Sequence, residues 1–413
     1  MPVVAMGVPF RSRSPYDCGM HRVALCYGAP EPLLLDVDPT ALVANLAGPS
    51  GSTGDDAARL VAAATAAPPD GPPLSAHAVP GDRVVIAIAG ALPQAPHVVT
   101  TVTEQLVASG VDPTDISVLH AGPAVSGLAV AQEFHADTAT ETAYLAADEA
   151  GRPLHVARAL VDADVVVTVG EWSYDARLGG RSLGGELWPA FGRAECDATL
   201  TLDLARRGRR ALRPWAENVR TLTWQLGATA CLRLVAGRDG TLAAAAFGTA
   251  DVAARQARHA ATAWAPTVAA AGDLAICTLS QPAAGFDMVA RAVAAAARIT
   301  RPTATICVAT TTANAPGPVV TRWRQGAPLQ PLVREACGSG DPSLVADAVV
   351  TRFLAQALDD RRLVLLSNLD EATVEDLEFG YAAGPDTVRR LARRAESVAI
   401  LHEADLLFPR LTP

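Results

Sequence analysis

Residues 80–90 read PGDRVVIAIAG, and this stretch decides the fold class. Pro80, Gly81 and Asp82 are turn formers. Behind them 84–89 is a continuous apolar run of strand length. A strand with one wet face alternates apolar and polar residues. A run without alternation reads as a strand buried on both faces, as in a parallel sheet covered by helices. The same rhythm extends outward. Residues 55–66 form a short helix between loops rich in Gly, Ser and Pro at 48–54 and 67–73. Downstream, 97–109 has helical character and ends at Gly110, a C-cap residue. A strand follows at 116–119, helix around 156–160, and another buried strand at 164–169. Such β-α-β alternation predicts a doubly wound sheet.

The pattern then changes. Two strand-like runs, 230–235 and 241–246, flank Arg238-Asp239-Gly240, an Asp-Gly turn signal that predicts a hairpin. A helix follows over 251–264, with Asp251 placed to cap it and Pro266 to stop it. From Gly272 the alternation resumes: strand 274–279, helix 286–298, strand 304–309, helix 344–358, strand 363–367, helices 370–378 and 386–395, strand 398–401. The expected architecture is therefore α/β, with two domains of mostly parallel sheet and a cleft between them. The boundary falls after Ala265, giving residues 1–268 and 269–402, with 403–413 as a segment that returns to complete the first domain.

Composition narrows the function classes. The chain has 413 residues, half of them apolar, 19% charged, and a formal charge of −9. A chain of this length buries roughly 75% of its unfolded surface, so it needs no cross-links. The acidic balance argues against nucleic acid as a partner. No apolar run reaches the roughly 20 residues of a membrane helix, and the N-terminus lacks the pattern of a signal peptide. Seven scattered cysteines form no C-x-x-C pair, which speaks against a zinc site or disulfide framework and for a reducing, cytoplasmic setting. Lysine is absent, so all 34 basic residues are arginine. Coding bias explains that economically, but the chemical consequence is strict: no lysine amine is available for covalent catalysis. Walker A, which needs a lysine, and H-E-x-x-H are also missing.

The pieces also carry a resemblance. Tyr27-Gly28 near the first strand, PGDRVVIAIAG, DISVL at 115–119, RPLHVARALVDADVVVTVG at 152–170, CLRLVAGRDGTLAAAAFGTADVAARQA at 231–257 and RLARRAESVAILHEADLLFPRL at 390–411 occur in an order that resembles the nickel-dependent lactate racemase family. The likeness covers nearly the whole chain and is specific in order rather than in single motifs. It implies two α/β domains and an interdomain cleft. It also implies a nickel-pincer nucleotide tethered through a lysine, a histidine on nickel, and further histidines as acid and base. In that chemistry a hydride leaves and returns to the 2-carbon of a small 2-hydroxy acid.

Carried over by position, most of those residues are replaced. The family's D-x-x-R-P-x-P loop is Gly90-Ala91-Leu92-Pro93-Gln94-Ala95-Pro96, followed by His97. Its T-G-T-H loop is Ala121-Gly122-Pro123-Ala124-Val125, with His120 nearby but out of register. Its histidine-bearing loop is Gly170-Glu171-Trp172-Ser173-Tyr174-Asp175. Its lysine loop is Gly179-Gly180-Arg181-Ser182-Leu183-Gly184-Gly185-Glu186-Leu187-Trp188-Pro189, and a helical Gln and Lys become Met288 and Arg291. The chain thus reads as a divergent member without the catalytic lysine and histidines.

The candidate residues follow, each with a plainer alternative. Gly179, Gly180, Arg181, Gly184 and Gly185 suit a phosphate-binding loop, because glycines let backbone N–H groups approach an anion and Arg181 pairs with it; the alternative is a turn kept for packing. Arg291 is the one carried-over cation of the second domain. Glu171, Tyr174 and His120 are catalytic candidates at strand ends, where ligands bind in open α/β sheets, and either Glu171 or Asp175 becomes a base if desolvation raises its pKa; the alternative is ordinary strand-end polarity. His97 is the metal candidate, or a satisfied structural histidine. Arg206, Arg207, Arg209, Arg210 and Arg213 form a basic patch, or simply a solvated face. Three functions stay open. One is a racemase or epimerase of a 2-hydroxy acid using the nickel-pincer nucleotide. Another is a non-catalytic paralogue that binds a small anionic ligand in the cleft. The third is a different enzyme built on Glu171, Tyr174 and Arg181.

Overall fold

The computed structural model describes residues 20–121, the backbone of 131–133, and residues 141–412. Most of the loop at 121–125, together with Cys18 and His135, lies outside the described residues. In chain order the strands begin with β1 (His21–Leu25), β2 (Leu33–Val37), β3 (Leu42–Leu46), β4 (Val84–Ala89), β5 (Ile116–Ala121), β6 (Ala131–Glu133), β7 (Thr142–Ala147) and β8 (Pro153–Ala157). They continue with β9 (Val165–Glu171), β10 (Tyr174–Asp175), β11 (Gly180–Arg181), β12 (Ala230–Ala236), β13 (Leu242–Gly248) and β14 (Thr267–Val268). They end with β15 (Gly272–Thr278), β16 (Thr300–Ala309), β17 (Arg362–Leu366), β18 (Gly380–Tyr381), β19 (Val398–Leu401) and β20 (Arg410–Leu411).

Two six-stranded sheets organise the described residues, in the orders β13-β12-β9-β4-β5-β6 and β18-β17-β16-β15-β19-β3. The second is parallel throughout, and the first is parallel except for β13, which pairs with β12 as a hairpin. All six residues of β4 are buried. Ile86 and Ile88 pack with Val98, Val102 and Leu106 of the helix Ala95–Ala108, while Val85 and Ala87 pack on the opposite face with Leu160 and Phe191. The unbroken apolar run is thus explained by cover on both faces.

Sheet membership departs from the sequence boundaries at the N-terminus. Residues 21–46 fall within 1–268, yet β3 pairs with β19 in the second sheet, from Leu42↔Val398 to Leu46↔Leu401. The β1–β2 hairpin covers the same sheet, with Leu25, Leu33 and Leu35 against Ile276 and Ile400. The apolar alternation of these short strands needs a partner face, and the second sheet supplies it. At the other end, β20 runs parallel to β14, and the Phe408 N–H donates to the Trp264 carbonyl at 2.7 Å.

Two local expectations also change. Residues 153–157 are strand, not helix; β8 pairs antiparallel with β7, and helix begins only at Arg158–Asp162. The helix Ala250–Ala260 is capped at Thr249, and Asp251 sits inside its first turn, where a carboxylate still favours the positive end of the helix dipole. Among the described residues no helix is long and apolar enough to cross a membrane.

Candidate functional site

β9 delivers Glu171 to the end of the first sheet, and the chain then folds back on itself. β10 and β11 pair antiparallel, Tyr174↔Arg181 and Asp175↔Gly180. This lays the glycine-rich loop directly on the strand end. A Cβ added at Gly170 would lie 2.1 Å from the Gly185 carbonyl oxygen, and one at Gly185 would lie 2.1 Å from that of Glu171. Gly185 also has φ +78°, a conformation that glycine adopts without strain. Here the glycines allow two backbones to touch.

Beneath this contact lies a buried charge triad. Arg233, at the centre of β12 and 2% exposed, donates to Glu186 Oε2 at 2.6 Å and to the Gly185 carbonyl. The other Glu186 oxygen accepts from Arg181. Burial first, and then the charge of Arg233, pulls Arg181 down to about 9, which still leaves it cationic at neutral pH. Arg181 is therefore already paired with a carboxylate.

A second network ties the two sheets together. Asp175, 1% exposed, accepts from Arg177 Nε at 3.2 Å and Nη2 at 2.8 Å. Arg177 reaches across to Asp287, in the first turn of the helix Phe286–Ala297. Arg291, one turn further along, lies 3.3 Å from Asp287 and 3.7 Å from Asp175. Burial alone would raise the Asp175 carboxyl, but the cations Arg177 and Arg291 and the Arg177 hydrogen bonds outweigh it and hold it below the usual range.

Glu171 faces this seam in a different state. Burial pushes its carboxyl up, against the pull of a Ser173 hydrogen bond and the Arg291 charge. Asp405, fully buried, is also pushed up by burial, although it accepts from the Ser280 N–H at 2.8 Å and the Ser280 hydroxyl at 2.7 Å. Arg291 acts on both acids, and its Nε–H is buried without a hydrogen-bond partner. The fold thus brings Glu171, at the end of β9, within electrostatic reach of Arg291 on the helix Phe286–Ala297.

The other candidates lie apart. Tyr174 is 6% exposed, stacked on Phe408 with ring centroids 5.1 Å apart and edge-on to Trp172 at 4.9 Å, which is a packing role. His120 is buried on β5, two strands from β9, or about 10 Å at ~4.8 Å per strand. His97 belongs to the first turn of the helix Ala95–Ala108. Each of the two has a buried Nδ1 without a partner. Among the described residues no three His, Cys, Asp or Glu side chains are grouped to hold a metal ion. Sequence reading missed Arg177, Glu186, Arg233, Asp287 and Asp405. Arg233 carried a signal, since it interrupts the apolar run CLRLVA at 231–236.

Neither a protein-family profile nor a curated protein sequence matches this chain. Solved structures do. The lactate racemase apoprotein of Thermoanaerobacterium thermosaccharolyticum superposes with a TM-score of 0.74 and 13% identity, covering 94% of this chain and 100% of that one. A Thermotoga maritima protein from a structural genomics consortium superposes at 0.60 with 9% identity, covering 82% and 96%. The fold is lactate-racemase-like.

Within a lactate-racemase-like fold, the residues present do not fit a lysine-tethered nickel-pincer nucleotide. The chain has no lysine. Its glycine loop is closed down on β9, and the loop's arginine is engaged by Glu186.

Proposed function

We propose that this lactate-racemase-like protein binds a small anionic ligand, a short carboxylate such as a 2-hydroxy acid, at the seam beside Glu171 and Arg291, and does not racemise it. One observation carries the reading: the Arg291 Nε–H makes no hydrogen bond, although the Asp287 and Asp175 carboxylates stand 3.3 and 3.7 Å from it, and the Arg291 charge acts on Glu171. A guanidinium fork matches a carboxylate in two parallel hydrogen bonds. A ligand oxygen in line with that N–H would supply the hydrogen bond that the two flanking carboxylates do not make. Glu171 then stands opposite a 2-hydroxyl, as acceptor when ionised and as donor when protonated. Moving a hydride off carbon needs an electrophilic acceptor that side chains do not provide.

The racemase or epimerase reading rests on the fold likeness to a lactate racemase. Both readings are tested on one preparation, purified from cells that also make the nickel-pincer cofactor. We expect D- or L-lactate to bind in calorimetry, with affinity at least ten-fold weaker in Arg291→Gln, no nickel above background, and no change in enantiomer ratio. Nickel near one per chain together with loss of optical activity would replace this reading with racemisation. Absence of any carboxylate binding would remove the seam as the ligand site.

A further inference from the structure

A second concave site lies at the far end of the helix Phe286–Ala297. It is a cavity of about 180 Å³, lined by Ala176, Arg177, Arg209, Arg298, Gln356 and Arg361 among others. At ~30 Å³ per water this is room for about six waters. Arg298 is seven residues beyond Arg291, about 10 Å along the helix axis at ~1.5 Å per residue, so this site is set apart from the Glu171 seam and shares only Arg177 with its network.

Its charge is unbalanced. Four guanidinium groups line it, and no carboxylate does. Arg177 is neutralised by Asp175 and Asp287. Among the described residues Arg209, Arg298 and Arg361 have no carboxylate within ion-pair distance, and Asp359 acts on Arg361 only at longer range. Burial lowers Arg298, and the charges of Arg410 and Arg209 lower it further, a sign of cations crowded together. Arg209 is exposed and Arg298 and Arg361 are half-buried, so the cluster is open to an incoming anion, which would relieve the repulsion among its cations.

The arginines are also held in place by backbone. Arg209 donates from Nε to the Arg177 carbonyl at 2.7 Å and from Nη2 to that of Ala176 at 3.3 Å. Arg298 donates from Nε to the Pro409 carbonyl at 2.8 Å, its guanidinium 3.8 Å above the Phe408 ring. Arg361 fastens itself to Thr300, Ala297 and Ala357. Arg209 and Arg298 keep further N–H donors, since each guanidinium carries five. Pre-oriented forks with spare donors from several elements of the chain suit a multidentate anion.

We propose that this cavity binds a tetrahedral oxyanion of the phosphate class, either the free ion or the end group of a phosphomonoester, and that the bound anion joins the two sheets. It would bridge Arg209, which grips the Ala176–Arg177 turn of the β10–β11 hairpin that follows β9 of the first sheet, and Arg298 and Arg361 beside the second. The proposal does not depend on the Arg291 reading. The test is thermal unfolding and calorimetry of the full chain in chloride buffer, with inorganic phosphate or glycerol 3-phosphate added at constant ionic strength. Expected is a saturable rise in Tm, which chloride does not reproduce. Arg209→Gln and Arg298→Gln should each weaken binding at least ten-fold. Arg298→Lys, which keeps the charge and loses the fork, should weaken it less than Arg298→Gln. Binding of the ester as tightly as the ion identifies phosphorylated metabolites as ligands, and binding of the ion alone identifies free phosphate. Equal stabilisation by chloride, or variants that fold and bind like the wild type, would overturn the proposal.

Discussion

At the scale of single residues, the buried charges differ in how well they are matched. Glu171 is held above its ordinary value by burial. Below that ordinary value the folded and unfolded chains are both protonated there, and the group has no effect. As pH rises, the unfolded chain ionises first, so stability falls until the folded carboxyl also ionises, by up to ~1.4 kcal/mol per pH unit of the window. Glu171→Gln has no such loss. Urea unfolding across a pH series should show the variant level with the wild type near pH 4 and more stable toward neutrality. The same proton governs the seam: carboxylate binding at Arg291 should tighten as pH falls through the raised Glu171 value, because a negative charge facing the ligand is removed. Glu186 is the opposite case. It lies between Arg181 and Arg233, and Glu186→Gln leaves two buried cations facing each other. Removing one partner of a buried pair costs roughly 3–5 kcal/mol, and the urea midpoint should fall accordingly.

At the scale of elements, the contact between the β9 end and the glycine loop is a steric statement. Gly185→Ala puts a methyl within 2.1 Å of a carbonyl oxygen at a positive φ. The expected result is a loss above ~2 kcal/mol or insoluble protein, read by the yield of folded material and its Tm. Gly180→Ala, with nothing within 4 Å of its added Cβ, should be tolerated. This element shows how legibility divides. β4 and the β12–β13 hairpin could be read directly, because an unbroken apolar run and an Asp-Gly turn are local signals. The helices Ala194–Arg207 and Leu212–Gln225 were not anticipated. Their buried residues are few, Leu200, Leu204 and Ala205 in one and Trp215, Asn218 and Leu222 in the other, so the apolar stripe is thin among Arg and Thr. Glu171 and Arg291 were legible as candidates by strand-end position and by resemblance. Asp175 was legible in the same way, as a strand-end carboxylate; Arg177 and Asp287 were not, since a pair 110 residues apart leaves no local pattern. The glycine loop was legible as glycine-rich but not as packed, because composition is the same for a cradle and for a close contact.

At the scale of the whole molecule, the second sheet is not contained in residues 269–402. That fragment lacks β3 and the β1–β2 hairpin, and exposes Leu274, Ile276, Val398 and Ile400. Expressed alone it should aggregate, while a version with residues 20–46 fused at one end should be soluble and show α/β circular dichroism. A soluble, cooperatively unfolding 269–402 would show that the N-terminal strands are dispensable. The same arrangement bears on how the protein is made. Roughly 350 residues separate β3 from β19, and at ~5–20 residues per second the ribosome needs about 20–70 s to supply the missing partner. For that interval an early apolar strand emerges with its hydrogen-bonding edge open, while the first sheet has all its strands and can close. The second sheet can close only after β19 has been made, and until then residues 21–46 offer an open apolar edge to a nascent-chain chaperone.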